Sequence, residues 1–488
     1  MNLFSILDDA ANKWPEAMAV ADKFMGLRYR DLCAVAESLA LELQRAGIRT
    51  GDKVGIMWPK SVEYVVAMLG VMRAGAIVIP ISPAFKALEI ASLAEEMAVD
   101  AFCYSGSFRS VIPTGEGEFS FADPILKDQP PLYFRSADRR NSPQHERDQL
   151  VRLNASIIGF SSGTTSKNKG LILSHETISQ RPAMPAEVHA VEEGSSLLWL
   201  LSNVNNLAYE LARWFMGGGG IVIADAMDER TLARLIVKHN VMQVNAAPMN
   251  YRSMVDGEDV PAEVVTRVKY LFSMGSPLSA VIAEAFKAKF GREIFQIYGL
   301  SECGGVLFNL SEQPKRRGSI GNILRPGYEI KLVPVHGTGV EGIGEILVRG
   351  LGMFDAYYKP WRLRDEVLED GWFRTGDIAR RDADGYYWII GRVKDVINVG
   401  GVKVFPREIE ELLLSHPAVE EAMVYGVPEA RFGEVPRAKV KLRAGVECAE
   451  KEILQYANEQ LSVFKALRSI EFVDEIPRTV TGKPRRWA

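Results

Sequence analysis

The chain reads Ser156-Ile157-Ile158-Gly159-Phe160-Ser161-Ser162-Gly163-Thr164-Thr165-Ser166-Lys167-Asn168-Lys169-Gly170-Leu171-Ile172-Leu173 in its first half. The apolar ends of this stretch predict two buried strands, and its middle predicts the loop that joins them. Glycines, hydroxyls and lysines in such a loop can surround phosphate oxygens with hydrogen-bond donors. The G-x-x-x-x-G-K-[ST] pattern of the common phosphate loop is not present. Taken alone, the stretch fits a phosphate-binding loop and an ordinary Gly/Ser-rich hairpin turn equally well.

The composition is that of a large soluble globular protein. The chain has 488 residues, more than one core supports, with 47% apolar and 25% charged residues. A formal net charge of −4 gives no electrostatic support for binding nucleic acid or an anionic membrane. The sequence shows no run of membrane-spanning length, no secretory signal at its start and no C-x-x-C pair. We therefore expect a cytoplasmic protein without structural zinc that binds neither nucleic acid nor membrane.

Apolar strands alternate with amphipathic helices along much of the chain up to residue 299, which is typical of a parallel α/β sheet. The predicted strands include 52–58, 76–80, 156–160, 197–201, 221–224, 242–245 and 293–299. The predicted helices include 32–43, 62–74, 230–239 and 279–290. Residues 105–149 lose this alternation and predict an irregular surface excursion.

The alternation of strands and helices stops after Gly318. Short strand-like runs separated by Gly and Pro turns predict a β-rich subdomain up to Gly391. The remaining residues predict a small α+β unit with a helix that Pro406 opens. The fold class is therefore α/β, with a large N-terminal domain of layered α/β subdomains plus a β-rich subdomain, and a small α+β C-terminal domain. We place the boundary between residues 1–392 and residues 393–488.

Four further stretches carry side chains with chemical uses. They are Tyr298-Gly299-Leu300-Ser301-Glu302, Trp372-Phe373-Arg374-Thr375-Gly376-Asp377, Gly391-Arg392-Val393-Lys394-Asp395 and Pro477-Arg478-Thr479-Val480-Thr481-Gly482-Lys483. The first follows a predicted strand at the sheet edge where α/β proteins bind ligands. Each stretch has an ordinary structural explanation by itself, but their joint occurrence in this order is not explained that way.

With the loop at Ser161–Gly170, these motifs resemble the adenylate-forming (AMP-binding) superfamily, and the chain looks most like its acyl- and aryl-CoA ligases. The resemblance starts at Leu27-Arg28-Tyr29-Arg30-Asp31-Leu32 and continues to Lys483. It implies an acyl-CoA synthetase that uses ATP and Mg²⁺ to activate a carboxylic acid as acyl-AMP, with release of pyrophosphate. The acyl group then passes to coenzyme A, and the small C-terminal domain is mobile between the two steps.

The resemblance also implies roles for individual residues. The triphosphate and Mg²⁺ would be bound by Ser161, Ser162, Gly163, Thr164, Thr165, Lys169, Ser301 and Glu302, with Thr164 and Glu302 nearest the metal. Adenine and ribose would be bound by Gly275, Ser276, Pro277, Tyr298, Gly299, Asp377 and Arg392. Lys483 would bridge the acyl carboxylate and the α-phosphate, so that Lys483, Glu302 and Thr164 carry the catalysis. Lys394 would be the hinge and Gly401 would lie beside the pantetheine tunnel.

Three positions depart from the family pattern. Ser166 stands where glycine is usual and Asn168 where proline is usual, so the backbone freedom of the loop differs. Ser301 replaces the more common threonine and keeps the hydroxyl. Because the charged ATP-site residues are all present, we expect an active enzyme.

The acid and the thiol acceptor are less well defined by the sequence. The acyl pocket of the family is lined by the segment after the 197–201 strand, here 202–209, and by Gly275. This segment has no Asp to pair with a substrate ammonium, which disfavours an α-amino acid. Asn203 could bind a polar substituent or cap the following helix. We expect an uncharged aliphatic or aromatic acid and free CoA; an acyl carrier protein, a non-catalytic nucleotide-binding relative and a homodimer stay open.

Overall fold

The computed structural model describes residues 2–115, 117–127, 129–137, 143–160, 170–188, 190–201, 204–224, 229–335, 342–477 and 486. The helices in these ranges are α1 (Leu3–Lys13), α2 (Tyr29–Arg45), α3 (Val62–Arg73), α4 (Ala87–Met97), α5 (Gln144–Arg152), α6 (His175–Gln180), α7 (Val204–Met216), α8 (Glu229–Lys238), α9 (Pro248–Asp256), α10 (Ala262–Thr266), α11 (Ala280–Phe290), α12 (Arg364–Val367), α13 (Pro406–Leu414) and α14 (Glu450–Asn458). The strands are β1 (Met18–Ala21), β2 (Gly26–Arg28), β3 (Lys53–Met57), β4 (Ile77–Pro80), β5 (Ala101–Ser105), β6 (Glu118–Phe121), β7 (Leu132–Ser136), β8 (Ala155–Phe160), β9 (Gly170–Ser174), β10 (Ser196–Trp199), β11 (Gly220–Ile223), β12 (Val241–Ala246), β13 (Tyr270–Ser273), β14 (Phe295–Leu300), β15 (Gly304–Asn309), β16 (Ile323–Leu324), β17 (Tyr328–Val333), β18 (Ile343–Gly350), β19 (Ala356–Tyr357), β20 (Arg362–Leu363), β21 (Phe373–Arg381), β22 (Tyr387–Arg392), β23 (Ile397–Val399), β24 (Val402–Val404), β25 (Val419–Glu429), β26 (Gly433–Leu442) and β27 (Ile470–Phe472).

Two nine-stranded sheets form the large N-terminal part. The first has the order β16-β15-β14-β13-β12-β10-β11-β1-β2, and the strands from β14 to β1 pair in parallel. The second has the order β20-β19-β9-β8-β4-β3-β5-β7-β6, with a parallel centre of β8, β4, β3 and β5. The central strands are buried along nearly their whole length, as expected for parallel strands that helices cover on both faces.

Two smaller sheets follow. Strands β17, β18, β21 and β22 form an antiparallel sheet, which is the β-rich subdomain expected from the sequence. Strands β24, β23, β26 and β25, together with β27, form the last sheet and enclose a separate core with α13 and α14. Helix α13 begins at Pro406, where the fixed φ of proline suits the first helical turn. The predicted α/β class, with a large N-terminal and a smaller C-terminal domain, is thus confirmed.

One part of the sequence prediction is wrong. Residues 105–149 were expected to form an irregular surface excursion, but β6 and β7 extend the second sheet and α5 begins at Gln144. These strands are short and pair antiparallel at the sheet edge, and β6 is only partly buried. Edge strands of this kind lack the long apolar run that identified the central strands.

None of the helices in the described ranges is long and apolar enough to cross a bilayer.

A buried histidine makes stability depend on pH. His175 begins α6 with only 6% of its surface exposed, and burial lowers its pKa to about 4. Because the unfolded chain takes up the proton near pH 6.5, the folded state should lose about 3 kcal/mol as pH falls from 6.5 to 4. Replacing His175 with glutamine should flatten this part of a stability–pH profile measured by urea unfolding. The exposed His145 is the matched control, and an unchanged slope in the H175Q variant would contradict the assignment.

Candidate functional site

Two side chains donate hydrogen bonds to the carboxylate of Asp377, one from the neighbouring strand and one from a distant part of the sequence. The Tyr298 hydroxyl donates to Asp377 Oδ2 at 2.9 Å, and Arg392 Nε donates to Asp377 Oδ1 at 2.7 Å. Asp377 and Arg392 face each other directly in the register of β21 and β22, while Tyr298 comes from β14 of the first sheet. The site therefore joins the first sheet to the antiparallel β-rich sheet.

Burial and the neighbouring carboxylate set the protonation of Tyr298 and Arg392. Burial and then the neighbouring carboxylate of Asp377 raise the pKa of Tyr298 well above its usual value, so the phenol stays a neutral donor. Burial disfavours the charged form of Arg392, but the ion pair with Asp377 outweighs it and raises the pKa of the guanidinium. A carboxylate can accept about four hydrogen bonds, and the two protein donors leave further lone pairs for the hydroxyls of a ligand.

The predicted adenine turn lies next to Tyr298. The segment Gly275-Ser276-Pro277 follows β13, which pairs in parallel with β14, so that both segments reach the same edge of the sheet. All three residues of the turn are exposed. Gly275 has φ +88° and open space at its Cβ position, so the backbone conformation rather than packing requires glycine there.

Ser301 and Glu302 continue from the end of β14 and are partly exposed. Glu302 Oε1 accepts a hydrogen bond from the Tyr357 hydroxyl at 3.1 Å. Gly299 precedes them where a Cβ would lie 2.1 Å from the carbonyl oxygen of Gly304, so only glycine fits this hairpin. These contacts hold the Glu302 carboxylate at the sheet edge where α/β proteins bind ligands.

The predicted hinge and tunnel residues lie in the later part of the chain. Lys394 is in the short 3₁₀ helix Val393–Asp395, directly after β22, and burial lowers the pKa of its ammonium group. Gly401 is the second residue of a two-residue turn between β23 and β24, with φ +89° after φ +58° at Gly400. Left-handed values at both positions are typical of the tight hairpin turns that favour glycine.

Other predicted site residues lie outside the described part of the chain. They are Ser161, Ser162, Gly163, Thr164, Thr165, Lys169, Asn203 and Lys483. The strands predicted on either side of the loop are β8 and β9, and they pair antiparallel.

Sequence reasoning missed one residue that supports this site. Arg181 is completely buried; its Nη2 donates to the carbonyl oxygens of Ser301 (3.0 Å) and Glu302 (3.2 Å), and its Nε to that of Gly352 (2.8 Å). Its guanidinium also lies 5.6 Å from the ring centre of Tyr209. Arg181 therefore fixes the backbone that carries Glu302. A single arginine after a short helix gave no signal in the sequence, because its partners are over a hundred residues away.

A second cluster, in the small C-terminal unit, has the residue types of a metal site. The ligand atoms of His416, Cys448 and Glu452 lie within 4.8 Å of one another. However, His416 Nδ1 accepts the backbone N–H of Ala418 at 3.2 Å. In a neutral imidazole the proton is then on Nε2, which leaves no lone pair there for a metal. We assign no metal to this cluster.

Comparisons with known proteins show the family of this chain. The sequence model of the family described as AMP-binding enzyme matches residues 7–358, and that of the AMP-binding enzyme C-terminal domain matches residues 408–483. The chain therefore belongs to the AMP-binding enzyme family, and its relatives are CoA ligases. ATP and CoA are substrates of that family.

Individual relatives align over nearly the full length. The 4-coumarate–CoA ligase-like 9 protein of Oryza sativa subsp. japonica is 29% identical, over 97% of this chain and 90% of its own. The oxalate–CoA ligase of Arabidopsis thaliana is 27% identical, over 99% and 97%. Among solved structures, ATP-bound MatB from Rhodopseudomonas palustris has a TM-score of 0.82 at 25% identity, covering 99% of this chain and 97% of that one. The relatives' names differ in the acid, so they define the class of enzyme but not its substrate.

Arg181 provides a test of how the site is held. Replacing it with methionine removes the side-chain donor to the Ser301 carbonyl and leaves the Glu302 carbonyl with the backbone N–H of Phe354 as its remaining donor among the described residues. With Glu302 as a Mg²⁺ ligand, as the resemblance implies, we expect the Mg²⁺ concentration for half-maximal activity to rise about tenfold, the effect of roughly 1.4 kcal/mol. An R181K variant should recover part of this, because lysine keeps the charge but not the planar set of donors. Exposed Arg234, as R234M, is the matched control. A lower thermal stability with unchanged Mg²⁺ dependence would make Arg181 purely structural.

Proposed function

We propose that the protein is an ATP-dependent acid–thiol ligase, a carboxylic acid–CoA ligase that forms AMP. It activates a carboxylic acid as acyl-AMP, releases pyrophosphate and transfers the acyl group to CoA. The observation that carries this proposal is the contact of Asp377 with both Tyr298 and Arg392. A buried tyrosine, a carboxylate with free lone pairs and an exposed turn beside them suit a nucleoside.

In the proposed complex the adenine lies against Tyr298 and the turn Gly275-Ser276-Pro277, and the ribose hydroxyls donate to Asp377. Arg392 orients that carboxylate through its hydrogen bond to Oδ1. The neutral phenol of Tyr298 offers a ring face to the base while its hydroxyl is used by Asp377. These residues bind and orient the nucleotide and take no proton from it.

The α-phosphate and the acid are both anions, and their approach needs positive charge in a site that excludes water. We propose that Lys483 bridges the two groups and that the loop residues Ser161, Ser162, Gly163, Thr164, Thr165 and Lys169 bind the triphosphate. Glu302 fits a magnesium ligand, since its partly exposed carboxylate offers the oxygen donors that Mg²⁺ prefers. Thr164 and Glu302 would hold the ion, which neutralises phosphate charge when bound.

Thioester formation, the second step, needs the CoA thiol near the position that Lys483 is proposed to occupy during adenylation. We propose that residues 393–488 form a mobile domain that turns about Lys394, and that Gly401 then lies beside the pantetheine arm of CoA. The 3₁₀ helix at Lys394 lies between the β-rich sheet and the last sheet, which supports a hinge there. Free CoA is the proposed acceptor. A separate acyl carrier protein is the alternative.

The proposed substrate is an uncharged aliphatic or aromatic acid rather than an α-amino acid, with Asn203 and Gly275 in its pocket. The segment 202–209 contains no carboxylate for a substrate ammonium. We also propose a cytoplasmic location, which the scattered free cysteines support.

Acid-dependent pyrophosphate release tests the function directly. The purified protein is incubated with ATP, Mg²⁺ and a panel of aliphatic and aromatic acids, with and without CoA, and pyrophosphate and acyl-CoA are measured. Acid-dependent pyrophosphate release, with acyl-CoA formed only when CoA is present, is the expected result. Nucleotide binding without pyrophosphate release for any acid would support a non-catalytic relative instead.

A further inference from the structure

A row of polar side chains lies buried between α7 and the first sheet, surrounded by an apolar core. Arg213 Nη1 donates to Gln243 Oε1 at 3.1 Å and lies 3.4 Å from Glu210 Oε2. Gln243 Nε2 in turn donates to Asn245 Oδ1 at 2.7 Å. Gln243 and Asn245 are completely buried. Buried polar groups are costly unless they are hydrogen-bonded, so each atom of this row should have a partner.

The arginine fixes the orientation of both amides. A guanidinium only donates hydrogen bonds, so Gln243 must present its oxygen to Arg213 and its NH₂ group to Asn245. Asn245 must therefore use its oxygen as the acceptor and direct Nδ2 elsewhere. Asn245 Nδ2 is buried and has no hydrogen-bond partner among the described residues. The orientation of the last donor, Asn245 Nδ2, is therefore set by Arg213.

The free donor is near the carboxyl edge of the sheet. Gln243 and Asn245 are two residues apart on β12, which ends at Ala246, so they project from the same face. Helix α7 connects the parallel strands β10 and β11 and must run opposite to them, which puts its first turn at the same edge. Asn206, Glu210 and Arg213 recur at spacings of four and three residues and form one stripe of this helix.

Asn206 supplies a second group at this edge. Its Oδ1 is buried and also lacks a hydrogen-bond partner within the described ranges. Leaving a buried donor or acceptor unsatisfied costs about 1–3 kcal/mol. Asn206 on α7 and Asn245 on β12 therefore both carry amide atoms without a partner in the described ranges, near the sheet edge at which α/β proteins bind ligands.

We propose that Asn245 and Asn206 recognise a hydroxyl group on the acid, away from its reacting carboxylate; this inference rests on the proposed function. A hydroxyl oxygen accepts from Asn245 Nδ2, and its proton can be donated to Asn206 Oδ1. A second carboxylate fits poorly, because it would face the Asn206 oxygen and have one neutral donor for a buried charge. The substrate class is a hydroxylated aliphatic or aromatic acid.

Matched acids test this class. Acyl-CoA formation is measured for benzoate against 2-, 3- and 4-hydroxybenzoate, for hexanoate against 3- and 6-hydroxyhexanoate, and for adipate as a dicarboxylate. At least one hydroxylated acid should exceed its parent by about tenfold or more in kcat/KM, the effect of a hydrogen bond that satisfies a buried donor. A preference for adipate over every hydroxylated acid would overturn the proposal.

Variants of Asn245 decide whether the preference comes from this residue. In N245L, and in the smaller N245A if N245L does not fold, the ratio of hydroxylated to parent acid should fall to about one. Exposed Gln455 on α14, as Q455L, is the control that should keep the ratio. A preference that survives in both Asn245 variants, or turnover of the acids with no preference in the native protein, overturns this inference alone. Lack of turnover with every acid overturns the proposed function and this inference with it.

Discussion

Replacing Lys483 with alanine should abolish acyl-adenylate formation while sparing thioester formation from supplied acyl-AMP. Adenylation brings a carboxylate against the α-phosphate, and Lys483 is the proposed cation between them. Loss of one such donor to a developing charge typically costs about 10²–10³-fold in rate. The acyl-AMP already carries its activated bond, so attack by CoA does not need this cation.

Two assays separate the half-reactions in K483A. Acid-dependent exchange of labelled pyrophosphate into ATP measures adenylation, and acyl-CoA formation from synthetic acyl-AMP measures thiolation. Lys451 is an exposed lysine on α14, in the same small C-terminal unit, and K451A should behave like the native protein in both assays. Equal loss of the two half-reactions in K483A would contradict the role assigned to Lys483.

Replacing Asp377 with alanine should lower kcat/KM for ATP by about 10²–10⁴-fold. The carboxylate is proposed to accept two ribose hydroxyls, and hydrogen bonds to a charged group contribute roughly 1.5–3 kcal/mol each. The change also removes the partner of Arg392 and of the buried Tyr298 hydroxyl. We therefore expect both weaker ATP binding and a misplaced nucleotide.

Deoxynucleotides make this prediction specific. The native protein should discriminate strongly between ATP and its 2′-deoxy and 3′-deoxy analogues, and D377A should treat the three almost alike. Asp365 is on α12 with 87% of its side chain exposed, so D365A is a suitable control. If D377A still prefers ATP over both analogues, Asp377 does not bind the ribose.

Much of the fold follows from local sequence patterns. Helix α13 begins at Pro406 as predicted, because proline suits the first turn of a helix. The buried strands β3, β4 and β8 were also predicted, since apolar runs between turns are typical of parallel strands. The strands β6 and β7 were missed because an edge position needs only a few apolar residues.

The sequence predicts which residues form the candidate site, but it does not predict the contacts that support them. The motif order suggested Asp377 and Arg392 together, and the register of β21 and β22 places them opposite each other. The roles of Arg181 and of the row from Arg213 to Asn245 depend on partners that only the tertiary structure provides. Side chains bound to distant carbonyls or amides leave no periodic pattern in the sequence.

The position of Asp377 between two sheets has a thermodynamic consequence. Its donors come from β14 of the first sheet and β22 of the antiparallel sheet, so a ligand that contacts both Asp377 and Tyr298 would bind the docked arrangement of the two sheets more tightly than the separated one. By linkage, a nucleotide at one hundred times its dissociation constant would add about 2.7 kcal/mol to that docking. A nucleotide bound as proposed would then stabilise the docked arrangement of the two sheets reversibly, and the cellular ATP concentration would set how often they separate.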